Sequence, residues 1–290
     1  MSITTNITEK NYKKLTLKVG LDGFSFCIFD TLSHHAEEVK SIDFSDFPKN
    51  LKTEDYYEKA FSENEALSRK YDEVLVLHDN NLNTFVPKAL FNENDLGSYL
   101  QYNSKVFESD FFAFDEMANQ EMNNVYIPYV NINNFLLDRF ESFNYKHANS
   151  ILVSKLLHLS KNIEEKLFFV HIQEHKFEII VVENQQLLLF NSFEYKTNED
   201  FIYYLLFVAE QLNLNPEYFK LYFLGDITEE SELYKIAYKY VRNVDLLDVS
   251  DYQNQFSTAQ NSKHFILFQS WESFQANTKE DAFFRQKTYP

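Results

Sequence analysis

Hydrophobic and polar positions alternate twice along this chain with nearly the same rhythm. Leu15, Leu17 and Val19 alternate with Thr16, Lys18 and Gly20, the period of two expected of a half-buried strand. Asp22-Gly23 follows as a tight-turn pair, and Phe24, Phe26 and Ile28 carry the alternation into a second strand ending near Asp30. A third strand is expected over Glu37–Phe44. Residues Thr53–Lys70 predict a helix, capped by Thr53, with Tyr57, Phe61 and Leu67 on one face. Val74–Leu77 predicts a short strand buried on both faces.

The pattern restarts about half a chain later. Leu167–Ile172, Phe177–Val182 and Leu187–Phe193 predict three strands separated by turns at 173–174 and 183–186. Asn198–Leu212 predicts a helix whose apolar side holds Phe201, Leu205, Val208, Ala209 and Leu212, and Phe219–Leu224 predicts a strand. Between the repeats, helices are expected over 92–102, 131–143 and 149–160, and strands over 110–117 and 125–130. After them come a helix over 229–241, a short strand over 244–249 and a last strand over Lys263–Phe268.

What repeats is the order of elements. Three antiparallel strands, a helix and a parallel strand form the core of the ribonuclease-H-like fold, and two such units in tandem make the actin-like architecture. The expected fold class is therefore α/β, with mixed five-stranded sheets flanked by helices. The lobes are expected at residues 1–125 and 126–290, the C-terminal segment being able to return to the first lobe.

Composition narrows the function. With 290 residues, 44% of them hydrophobic, the chain can bury two cores. A formal net charge of −17 repels polyanions, so nucleic acid and anionic membrane surfaces are excluded as partners. The 30 Phe and 19 Tyr therefore read as a compositional bias, not as a stacking surface for bases. The single cysteine, Cys27, falls inside the second strand, where a buried thiol is expected; it permits no intramolecular disulfide. Met1–Lys10 has no apolar core and no run approaches the ~20 apolar residues of a membrane span, so a cytoplasmic protein without membrane insertion is expected. The four glycines, Gly20, Gly23, Gly97 and Gly225, are far below ordinary usage of about 7%. Phosphate-cradling loops need glycine, so few can be built here.

The segments Leu167–Phe193 and Phe219–Asp226 resemble the second lobe of actin-like ATPases, in particular the pilus-assembly and cell-division branches. Over nearly its full length the chain resembles the Bacteroidota domain of unknown function 3822 family, whose fold is actin-like; the resemblance implies a fold and no activity. Actin-like ATPases carry Asp-x-Gly at the first hairpin of each lobe, the acid organising a metal or its water and the glycine turning backbone N–H groups toward phosphates. The first motif aligns with Lys18-Val19-Gly20, which keeps the glycine and replaces the acid by lysine. The second aligns with His171-Ile172-Gln173, which keeps neither. The adenosine loop, usually with paired glycines, reads Leu224-Gly225-Asp226. All three loops depart from the pattern, and ATP hydrolysis needs a positioned metal and water. The resemblance thus implies a remnant nucleotide cleft lined by Lys18, Gly20, Asp22, Gly225 and Asp226, with Lys18 expected as a surface or edge-strand residue. The expected function is a non-catalytic binding or scaffold protein without a cofactor, taking a protein partner at the cleft or a sheet edge. The alternative is a divergent ATPase or nucleotide sensor that uses ATP and magnesium through those five residues.

Other motifs read more plainly. His171-Ile-Gln-Glu174-His175 spells an inverted zinc-protease pattern, but its β-rich flanks predict a hairpin, which does not set two histidines one helical turn apart. His34-His35 reads as a solvated loop, and Asn6-Ile7-Thr8 has no meaning without export. Asp110–Glu116 mixes aromatics with acids; it reads as a half-buried strand or as a groove that recruits a partner segment. Trp271 is expected to pack the tail onto a lobe.

Overall fold

In a computed structural model of the chain, residues 10–49, 51–102, 104–107, 109–117, 120–249 and 256–276 are described; Asn6-Ile7-Thr8 lies outside them. The alternating segments form β1 (Lys13–Val19), β2 (Gly23–Asp30) and β3 (His35–Asp43), then α1 (Thr53–Ser62) and β4 (Glu73–His78). An insertion follows with β5 (Asn83–Pro87), α2 (Leu96–Leu100), β6 (Ala113–Glu116) and β7 (Met122–Tyr126). It leads into α3 (Val130–Leu137), β8 (Asn144–His147) and α4 (Ala148–Leu159). The second unit comprises β9 (Leu167–Ile172), β10 (Lys176–Glu183), β11 (Gln186–Glu194), α5 (Asn198–Gln211), β12 (Lys220–Gly225), α6 (Glu232–Tyr240) and β13 (Asn243–Leu246). The chain then forms α7 (Thr258–Lys263) and α8 (Phe265–Ala276).

The two large sheets have the same topology. Their strand orders are β3-β2-β1-β4-β8 and β11-β10-β9-β12-β13, three antiparallel strands followed by two parallel ones. A third sheet, β5-β7-β6, is built from the insertion. Period two decides which face each side chain takes. Leu15, Leu17 and Val19 join α1 and α3 in one core, while Phe168, Val170 and Ile172 join α5 and α6 in another. The opposite faces, including Leu75, Leu77, Phe169 and Ile180, close on α4 and α8, which lie between the sheets. The layers therefore run α1/α3, first sheet, α4/α8, second sheet, α5/α6.

Several elements depart from expectation. Lys263–Phe268 is helical: Phe265-Ile266-Leu267-Phe268 is buried throughout because its helix is enclosed in the middle layer. Apolar runs of this kind do not distinguish a buried strand from a buried helix. The helix expected over 53–70 stops at Ser62 and resumes as one 3₁₀ turn, Glu65–Ser68. Residues 92–102 are helical only as a 3₁₀ turn, Glu93–Asp95, and α2. β5 and β8 have no counterpart in the sequence reading. Because β8 pairs with β4, the first sheet closes at residue 147, beyond a division after 125. The C-terminal helix returns to the first sheet, where Ser270 Oγ lies 2.9 Å from Thr16 Oγ1. Trp271 packs on Phe29 (centroids 5.3 Å apart), and the ring of His34 meets its edge. Cys27 is fully buried against α8, and burial pushes its thiol well above the ordinary range. Among the described residues no helix is long and apolar enough to cross a membrane.

Candidate functional site

The hairpins β1–β2 and β9–β10 are built alike and meet across the two lobes. In the first, the Gly20 N–H donates to Gly23 O at 3.0 Å; in the second, the Gln173 N–H donates to Lys176 O at 2.9 Å. The strand beside each hairpin is followed by an aspartate with the same backbone bond. Asp79 N–H donates to Val19 O and Asp226 N–H donates to Ile172 O, each at 2.9 Å. These bonds place Lys18-Val19-Gly20 opposite His171-Ile172-Gln173 in the pseudo-symmetry and make Asp79 the counterpart of Asp226.

Asp79 is the centre of the interlobe contact. Its Oδ2 lies 2.8 Å from Lys18 Nζ of the same lobe, and its Oδ1 lies 2.5 Å from Lys176 Nζ of the other. The Gln173 side chain bridges both lobes, accepting from Lys18 Nζ at 3.3 Å and donating to Asp79 Oδ1 at 3.5 Å. Behind Lys176 lies Glu178, whose side chain is 0% exposed. Its carboxylate takes Lys176 Nζ at 3.3 Å, His171 Nδ1 at 2.8 Å and Ser192 Oγ at 3.2 Å. Two lysines and two carboxylates thus neutralise one another across the lobes.

The electrostatics follow from that pairing. Burial alone would raise the Asp79 carboxyl, but Lys176 and Lys18 outweigh it and hold the group well below the usual carboxylate range. Burial opposes the charge on Lys176, yet Asp79 and Glu178 raise its pKa. Glu178 is likewise lowered against its burial, chiefly by Lys176 and then by His171. Buried His264, between α7 and α8, feels both halves of the cleft. Its pKa falls to about 4 through burial and then through Lys18 and Lys263, opposed by Asp226.

The five residues of the expected cleft separate into two groups and an outlier. Lys18 is neither a surface nor an edge residue: it stands on central β1, its side chain 20% exposed and paired with Asp79, a correction to the sequence reading. Gly20, next to it, gives its carbonyl to Tyr57 OH at 2.8 Å. Gly225 and Asp226 lie on the α7 side, where Gly225 N–H donates to Ser262 Oγ at 3.1 Å and Asp226 pairs with Lys263 at 2.6 Å. Gly225 has φ +96°, and a Cβ there would stand 2.2 Å from Ile172 O. Asp22 is exposed at the hairpin tip, where its carbonyl accepts from Phe44 N–H.

Sequence reasoning missed Asp79, Lys176 and Glu178. Two signals were present: Asp79 follows its strand as Asp226 follows its own, and Glu178 interrupts the apolar run from Phe177 to Val182. The His171–His175 motif lies on the β9–β10 hairpin. His171 is buried against Glu178, while the side chains of Glu174 and His175 are 72% and 77% exposed at the turn. Among the described residues no group of three or more His, Cys, Asp or Glu side chains converges as a metal site. Within Asp110–Glu116 only Ala113–Glu116 is strand, the edge of the small sheet. There Asp115 is buried and accepts from Ser150 Oγ, His147 N–H and Tyr126 OH; burial raises its carboxyl.

The model of the family described as Protein of unknown function (DUF3822) matches residues 3–244. A solved structure from Bacteroides thetaiotaomicron VPI-5482, a protein with actin-like ATPase fold and unknown function, is similar with a TM-score of 0.78. Its identity is 20%, over 92% of this chain and 98% of that one. A chain of the PilM-PilN type IV pilus biogenesis complex is similar with a TM-score of 0.54 and 11% identity, over 89% of this chain and 96% of that one. No curated protein matches. The fold is that of the actin-like ATPases.

Proposed function

We propose that this chain, which belongs to the DUF3822 family, is a non-catalytic, partner-binding member of the actin-like fold, a pseudoenzyme whose lobes are bridged where relatives would seat a nucleotide. The observation that carries this reading is the double engagement of Asp79 by Lys18 and Lys176. The two cations that would attract a phosphate are already neutralised within the chain. The two acids placed to orient a metal, Asp79 and Glu178, each face a lysine. The backbone donors of the two cleft glycines are also committed, Gly20 N–H to Gly23 O and Gly225 N–H to Ser262 Oγ. A phosphate would have to displace a largely buried aspartate from both lysines, at the cost of a charge without a partner in low dielectric. The residues therefore do not fit magnesium-ATP. The similar chain of the PilM-PilN complex lends support, since there the architecture works within an assembly with another protein.

The test is a titration of the full chain with ATP and ADP, each with magnesium, to about 5 mM, followed by melting temperature and phosphate release. A ligand of the native state raises the melting temperature by mass action. No rise and no release are expected. A nucleotide-dependent rise with magnesium-dependent turnover would instead support a divergent ATPase or sensor.

A further inference from the structure

Two adjacent surface depressions on the first lobe share the lining residues Asp110 and Phe111 and together make one grooved surface. One, of about 590 Å³, runs along α2 and is walled by Leu96, Phe107 and Phe112. The other, of about 330 Å³, reaches the tip of the first hairpin at Leu21 and the starts of α1 and α3 at Thr53 and Ile132. The groove's second part borders the Asp79 network through Tyr129, whose hydroxyl donates to Asp79 O at 3.1 Å.

Its lining residues combine apolar surface with acids. Of the chain's 30 phenylalanines, those exposed among the described residues are Phe107 at 53%, Phe111 at 36% and Phe207 at 42%; the first two line this groove. Leu21, at the far end, is 54% exposed. Clustered exposed side chains of this size mark interaction surfaces. Glu93, Asp95 and Asp110 line the groove, and among the described residues its lining includes no Lys, Arg or His; a cation beside it, Lys105, stands with its Nζ 5.0 Å from the Phe107 ring centre. The walls are held in place. Tyr99 OH donates to Leu90 O at 2.7 Å and accepts from Asn92 N–H at 2.8 Å, and Asp110 accepts from Phe107 N–H at 2.8 Å.

We propose that this groove docks a short segment of a partner protein in which Lys or Arg side chains stand beside Leu or Phe. This rests on the partner-binding reading above and gives it a site and a ligand chemistry. Charge selects the occupant. A second copy would bring its own −17 toward this one, and an anionic lipid surface would be repelled by the same three carboxylates. A cationic apolar segment would bury the phenylalanines and neutralise the acids.

The experiment uses the full chain and three fluorescein-labelled peptides of equal length: one of Lys with Leu and Phe, one of Lys with Ser and Gly, and one of Glu with Leu and Phe. Anisotropy should show the first binding most tightly. The groove variant Glu93→Lys/Phe111→Ser should weaken it at least about tenfold, as loss of a buried aromatic anchor and a reversed charge would. The control Phe207→Ser/Glu210→Lys, equally exposed on α5, should leave binding unchanged. Equal binding of the Lys-Ser-Gly peptide would reduce the effect to net charge and overturn the proposal. So would equal losses in the two variants, vesicle binding by the groove, or a dimer that the groove variant dissolves. If the peptide binds and the groove variant changes nothing, this site fails while partner binding stands; nucleotide turnover is what would remove the partner-binding reading itself.

Discussion

Asp79 and Asp226 follow corresponding strands and make the same 2.9 Å backbone bond, yet they occupy different media. Asp79 sits between the lobes, its side chain 10% exposed, and holds one lysine from each. Asp226 is 53% exposed and holds Lys263 at the rim. The contrast shows that a duplicated framework leaves the energetic role of a residue undecided. The same position serves as an interlobe bridge in one lobe and as a solvated ion pair in the other. Breaking a largely buried pair strands a charge and costs about 3–5 kcal/mol, whereas an exposed pair contributes about 0–1 kcal/mol. Urea unfolding of Asp79→Ala and Asp226→Ala should therefore give losses of those two sizes. Equal losses would mean that the bridge contributes nothing beyond a surface pair.

Acid separates the lobes in a second way. The residue before Asp79 is His78, and its partner on β8 is His147; the residue before Asp226 is Gly225. Burial lowers both histidines to about 3, so they are neutral in the native state. For a histidine lowered on folding, the stabilisation is complete above the unfolded value near 6.5 and is lost as pH falls toward the folded value. At pH 5 each should have lost about 2 kcal/mol relative to pH 7. Asp79 and Glu178, lowered carboxyls, begin to lose their contribution only below the unfolded carboxylate values near 4. His264, lowered to about 4 beside Ser262 and Lys263, brings a single such loss to the β12 side, so hydrogen exchange at pH 5 should find β4 and β8, with two fully buried histidines, loosened more than β12 and β13. Uniform loosening, or a His78→Asn variant with the same pH profile between 7 and 5, would remove the histidines as the cause.

Backbone strain sharpens the comparison at the next scale. Gly225 needs its positive φ and has no room for a Cβ, so Gly225→Ala should cost about 2–3 kcal/mol. At Gly20, on the other lobe, the nearest atom to an added Cβ is Gly23 O at 3.2 Å, and Gly20→Ala should cost roughly 1 kcal/mol or less. Thermal unfolding of the pair decides it; a larger loss at Gly20 would place the strained turn in the wrong lobe.

These residues also show what could be read without coordinates. The outer-facing strands were legible because Leu15, Leu17 and Val19, or Phe177, Ile179 and Val181, repeat with the pleat. The helix through Phe265–Phe268 was not, because burial on every side erases its period. Nor was β8, whose four residues join the sheet through backbone bonds to β4. At the site, Gly225 and Asp226 could be named because the resemblance aligns Leu224-Gly225-Asp226 with the adenosine loop of actin-like ATPases. Asp79 precedes Asn80 and Asn81 and looks like an ordinary turn residue. Its importance comes from Lys176, 97 residues away, which only the meeting of the lobes brings to it.

The smallest effect concerns the helices that follow each three-stranded meander. α5 begins with a capping box: Thr197 Oγ1 accepts from Asp200 N–H at 3.1 Å, and Asp200 accepts in return from Thr197 N–H at 3.0 Å. α1 has Lys52 at the N-cap, a side chain with no acceptor; only the return bond, Lys52 N–H to Asp55 at 3.2 Å, is made. An oxygen acceptor at this position contributes about 1 kcal/mol by satisfying an N–H that the helix itself leaves open. Thr197→Ala should accordingly destabilise the protein by about 1 kcal/mol, while Lys52→Asp should stabilise it by about 0.5–1 kcal/mol, helped by a negative charge at the helix start. Chemical unfolding midpoints measured on both variants decide the point. Because α1 packs Tyr57 and Phe61 against the first sheet whichever residue caps it, a null result at Lys52 would mean that tertiary packing already fixes that end of the helix, and that the cap matters only where α5 must start itself.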